Sequence, residues 1–123
     1  MRIRQAAGAW AYVVILSLTV VGACEGAEAL VKALLSDSGR YDGQPVVLAG
    51  TVTQLDARVS RRGNPYYTFK LDDGSGRVTV FSFGQLPCPS PSRVSVAGEF
   101  RHVKRVGAHT FYDQVDARRV VCR

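Results

Sequence analysis

The sequence predicts an all-β domain of five short strands, a small sandwich or barrel, preceded by a signal segment and one short helix. Three observations carry this reading. From about residue 45 apolar residues recur at every second position. These alternating runs are divided by Gly, Asp and Pro turns. The chain opens instead on an uncharged apolar run behind two arginines. A length of 123 residues suits one small domain and excludes a multidomain enzyme. With 46% hydrophobic and 9% aromatic residues, and no repeat, the chain is neither disordered nor collagen-like.

The leader comes first. Arg2 and Arg4 form a positive n-region, and Ala6 to Val21 carries no charge. The run ends in Val21-Gly22-Ala23-Cys24, which resembles the bacterial lipoprotein cleavage box. That resemblance implies lipidation of Cys24 and a membrane attachment through an N-terminal lipid anchor. Two other readings stay open: cleavage after Ala23 with release, and retention as a minimal membrane-spanning helix. All three export the remainder to the cell envelope or periplasm. The expected division is a leader over 1–23, a helix and linker over 24–42, and the β domain over 43–123. The leader takes two of the sixteen Lys+Arg with it, so the net charge falls from +6 to +4.

Outside the cytoplasm thiols pair, and small domains gain most from pairing. Apart from Cys24, only Cys88 and Cys122 remain, with a single intramolecular pairing open to them. A disulfide is expected; two separate buried thiols are the alternative.

Ala27, Leu30, Val31, Leu34 and Leu35 fall at helical spacing, predicting a helix over 25–36 that stops at Ser36-Asp37-Ser38-Gly39. Five strand-like runs follow: about Pro45 to Leu55, Tyr66 to Leu71, Arg77 to Phe83, Arg93 to Arg101, and about Thr110 to Val121. A basic loop with Arg58, Arg61 and Arg62 separates the first two over Ala57 to Pro65. Gly84 to Ser92, with its prolines and Cys88, is neither strand nor helix.

This order of features resembles the oligonucleotide/oligosaccharide-binding (OB) fold, over residues 43–121. The matching segments are Val46-Val47-Leu48-Ala49-Gly50-Thr51-Val52, then Tyr67 to Val80 with its Asp72-Asp73-Gly74-Ser75-Gly76 turn, then Arg93 to Phe100. The nucleic-acid-binding members of the family are the most similar. The resemblance implies a five-stranded barrel in which strand three closes in parallel on strand five. Their carboxyl ends then meet, which brings Cys88 and Cys122 to one place. The helix usual between strands three and four is reduced here to the Pro/Cys loop.

Alternation places Tyr67, Phe69 and Leu71 on one face of the second run and Tyr66, Thr68 and Lys70 on the other. In the third run Val78 and Val80 oppose Arg77, Thr79 and Phe81. Aromatics stack bases and cations track phosphates, so Tyr66, Phe81, Lys70 and Arg77 form a candidate binding face for a single-stranded nucleic acid or another polyanion. Packing of Tyr66 and Phe81 under the basic loop or the helix is the competing role. Arg61, Arg62, Lys104 and Arg105 lie where a cationic rim would flank that face. Solvated charge and contact with anionic lipid account for the same residues. His102 and His109 lack a further ligand for a metal. Asp72 and Asp73 are more simply turn formers than an acidic metal site. No nucleophile elbow, phosphate loop or zinc-helix motif occurs, so a non-enzymatic binding module without cofactor is expected. An envelope module for a protein or glycan partner is the alternative.

Overall fold

The computed structural model describes residues 28–89 and 92–123. The leader, Cys24 and the start of the expected helix lie outside the described residues. Two short helices stand where one was expected, α1 (Val31–Ser36) and α2 (Ser38–Tyr41). Leu30 is extended, and Ala29 donates its N–H to the carbonyl of Val47 at 2.8 Å, so the chain enters α1 from a strand-like segment. Helical spacing at Val31 and Leu34 is real, because both are buried in the core. Its extension back through Leu30, which is 59% exposed, is not.

Five strands follow: β1 (Pro45–Val59), β2 (Pro65–Asp72), β3 (Arg77–Phe83), β4 (Arg93–Val106) and β5 (His109–Cys122). They close into a barrel in the order β1-β2-β3-β5-β4. Only β3 and β5 are parallel, through Thr79, Val80 and Phe81 opposite Gln114, Val115 and Asp116. This is the OB topology. The period-two pattern explains it: Leu48, Phe69, Leu71, Val80, Val96, Phe100 and Val115 all point inward and are buried. Each such side chain contributes about 1.5–3 kcal/mol by leaving water.

β1 and β4 run well past their expected ends. A register shift between Thr53 and Asp56, with Gln54 at φ 52°, lets the far half of β1 leave β4 and pair with β2 alone. The basic loop expected from Ala57 therefore contracts to the turn Ser60 to Asn64, and Arg58 is a strand residue opposite Tyr66. Likewise β4 and β5 continue as a hairpin to Val106 opposite His109. These arms have no core face to bury, so their hydropathy alternation fades and reads as loop. A second bulge lies between Ala97 and Gly98. There only glycine fits, because a Cβ on Gly98 would run into the backbone of Asp116 and Ala117.

Cys88, in the segment after β3, is bonded to Cys122 at the end of β5, with Cα atoms 5.7 Å apart. The pairing expected from parity and compartment is present. Leu86 and Cys88 pack against the core. The bridge thus holds down the segment that stands in place of a helix.

Candidate functional site

On the outer face of β2 and β3, Thr68 lies opposite Phe81 and Tyr66 opposite Phe83. The Tyr66 and Phe81 rings are 5.5 Å apart and tilted, and Phe81 meets Phe83 edge-on at 5.1 Å. Tyr66 and Phe81 are half-buried, while Phe83 is 71% exposed. The helix is anchored elsewhere: α1 is held at the β2–β3 turn, where Asp73 and Ser75 accept the N–H groups of Val31 and Lys32.

Two hairpin arms flank these rings. The β1–β2 arm carries Arg58, paired with Asp56 at 2.9 Å, and ends in exposed Arg61 and Arg62. Among the described residues neither tip arginine has a carboxylate partner within 4.0 Å. The β4–β5 arm carries exposed Arg105, Val106, Phe111 and Tyr112. Its Lys104 reaches over the sheet, with Nζ 4.4 Å from the Phe81 ring centroid and 2.9 Å from Asp116 Oδ1. A cation over a ring contributes about 0.5–2 kcal/mol. Lys104 is therefore braced by a ring and a carboxylate together.

Further along the same face the character changes. Lys70 Nζ donates to Thr79 Oγ1 at 2.6 Å. Arg77 Nε pairs with Asp72 Oδ2 at 3.2 Å, largely in solvent. The face thus has an aromatic end at Tyr66, Phe81 and Phe83 and a polar end at Lys70, Thr79 and Arg77. Of the residues picked from sequence, Tyr66, Phe81 and Lys104 come together. Lys70 and Arg77 share their face at its other end, and Arg61, Arg62 and Arg105 sit on the two arms.

Phe83 was missed, although its parity with Phe81 places it on the same face. Gln114 and Asp116 were missed because no strand pattern reveals which β5 residues stand beside Phe81; that follows from the parallel register.

The turn aspartates act as turn formers. Asp72 accepts the Gly74 N–H, which with the Arg77 guanidinium holds its carboxyl below the usual range. Partial burial works to raise the Asp73 carboxyl. Hydrogen bonds from the Ser75 side chain and from the N–H groups of Val31, Ser75 and Gly76 outweigh burial and hold it low. His102 Nδ1 is 2.8 Å from Asp113 Oδ1, and its N–H goes to Asp42. His109 lies near Phe111 instead. No cluster of three or more metal-ligating side chains occurs among the described residues.

One groove, of about 650 Å³, lies between α2 and the outer side of β1 and β4, with Tyr41, Val47 and Ala97 in its lining. It contains none of the residues above. The aromatic face, by contrast, is an open surface rather than a cavity.

A closed barrel of this strand order places the chain among OB-fold proteins by architecture. One solved structure with a similar fold is the small single-stranded DNA-binding protein from Streptomyces coelicolor. The similarity has a TM-score of 0.52 at 20% identity and covers 67% of this chain and 94% of that one. At that identity the likeness is one of fold. No protein-family model and no curated protein matches the sequence.

Proposed function

We propose that this chain is a non-enzymatic OB-fold module that binds single-stranded nucleic acid across the outer face of β2 and β3. The observation that carries the reading is the contiguous cluster of Tyr66, Phe81 and Phe83 between two arms whose arginines Arg61, Arg62 and Arg105 have no carboxylate partner among the described residues. Rings exposed on a sheet supply stacking platforms, worth about 1–3 kcal/mol per base. Cations on both arms track the phosphates on either side. The fold likeness to a single-stranded DNA-binding protein supports the same reading. Export through the leader, with a lipid anchor at Cys24, remains part of the proposal. No helix among the described residues is long and apolar enough to cross a membrane.

Fluorescence anisotropy with labelled single-stranded DNA and RNA across a salt series tests it. Binding should weaken steeply with salt, and Tyr66→Ala/Phe83→Ala should cost at least tenfold in affinity. Absence of binding at low salt, or a double variant that binds like the parent, sinks the assignment. An envelope protein or glycan partner then becomes the better account.

A further inference from the structure

The nucleic-acid reading leaves open which bases the face selects, and the inference here rests on that reading. Beside Phe81, in parallel register on β5, stands Asp116. Its Oδ1 accepts two hydrogen bonds, from Lys104 Nζ at 2.9 Å and from Gln114 Nε2 at 2.9 Å. Gln114 is 5% exposed, so the carboxylate is held from a side chain set into the barrel wall. Among the described residues no hydrogen bond reaches the other oxygen, Oδ2. The Asp116 side chain is still 27% exposed. A carboxylate acceptor, fixed in place and open on one oxygen, therefore lies next to the central ring of the stacking cluster.

We propose that Asp116 reads the exocyclic amino group of a base stacked on the Tyr66–Phe81–Phe83 cluster, so that cytosine and adenine are preferred to thymine or uracil. The donor and acceptor order decides this. Cytosine presents its N4 amino group beside the N3 acceptor, and adenine presents N6 beside N1. Either edge complements a carboxylate acceptor standing beside the Lys104 ammonium donor. Held in the pose that suits cytosine, thymine and uracil instead turn the O4 acceptor toward the carboxylate and the N3–H donor toward the ammonium. Both contacts are then mismatched, and a polar group left unpaired at a desolvated contact is penalised more than a made bond is rewarded. If Asp116 served only to neutralise Lys104, no base preference would follow.

The test compares labelled oligo-dC and oligo-dT of roughly ten nucleotides by anisotropy, at about pH 7.5, where cytosine is not protonated. The full chain should bind oligo-dC about tenfold more tightly than oligo-dT. Asp116→Asn should bind both more tightly, since a negative charge leaves the face, while the ratio falls toward one. Oligonucleotides of 2-pyrimidinone, which is cytosine without its amino group, should bind the parent chain like oligo-dT. That arm needs no variant and stands even if Asp116→Asn folds poorly. Equal affinity for the homopolymers, an unchanged ratio in the variant, or 2-pyrimidinone binding like cytosine each overturns the proposal while leaving the nucleic-acid reading intact. Failure of every oligonucleotide to bind overturns both.

Discussion

The Asp73 carboxylate accepts the backbone N–H of Val31 at 2.9 Å, across 42 positions of sequence. Leu30, the residue at the N-cap position of α1, makes no side-chain cap bond, so the helix is capped from the β2–β3 turn instead. The same carboxylate closes that turn through Ser75 and Gly76. Val31 and Leu34 are thereby seated in the core. Asp73→Ala should remove the cap and the turn bonds together, and destabilise the chain by about 1–3 kcal/mol in urea unfolding. Alanine at the neighbouring, more exposed Asp72 should cost less. Equal losses at the two positions would show that the cap contributes nothing beyond an ordinary turn aspartate.

The same bonds set an acid response. The folded carboxyl of Asp73 titrates below its unfolded value. Its stabilisation is therefore complete above the unfolded pKa and is lost as pH falls through the folded one, because the unfolded chain then binds the proton more readily. Urea midpoints should accordingly fall below about pH 4. In Asp73→Asn the fall should be shallower over that interval. A variant whose stability tracks the parent in parallel down to the acid limit would remove Asp73 from the account.

The Cys88–Cys122 bridge closes a separation of 34 residues. In the chain-entropy model such a closure contributes about 3–4 kcal/mol. Cys88→Ser/Cys122→Ser should lose stability on that scale, and the segment after β3 should gain amide exchange first, since Leu86 and Cys88 pack on the core from it. Exchange spread evenly over all strands, with no excess in that segment, would count against its being held by the bridge.

The barrel was legible in sequence wherever a strand has a wet face and a dry one. β2 and β3 were placed within a residue of their ends because Tyr67, Phe69, Leu71, Val78 and Val80 alternate with polar neighbours. The arms were illegible for the converse reason: Asp56, Arg58 and Arg105 lie beyond the core and show no alternation. The disulfide was open to counting because only one pairing existed. At the site, parity along a strand exposed Tyr66 and Phe81, and carried further it would have added Phe83. Asp116 required the parallel register of two strands distant in sequence, which no local pattern encodes. The pairing of Lys104 with Asp116 stayed hidden for the same reason, and it alters what that lysine does.

Lys104 and the tip arginines are all cations, yet their removal should have different consequences. Arg61 and Arg62 have no carboxylate partner among the described residues, so each is available to a phosphate. For single strands each phosphate contact contributes about 0.7 to the slope of log affinity against log salt. Arg61→Ala/Arg62→Ala should therefore flatten that slope by up to about 1.4, with a loss that shrinks at high salt. Lys104 is already balanced by Asp116 and covers Phe81. Lys104→Ala leaves the Asp116 carboxylate without its cation beside the stacking rings, where it repels phosphate and costs more than one lost contact. Removing the carboxylate as well should return much of the loss, so Lys104→Ala/Asp116→Ala should bind more tightly than Lys104→Ala alone. A double-mutant cycle by anisotropy at several salt concentrations reads this coupling directly. If the second substitution gives no recovery, Lys104 acts as one more rim cation and the pair has no special place in the site.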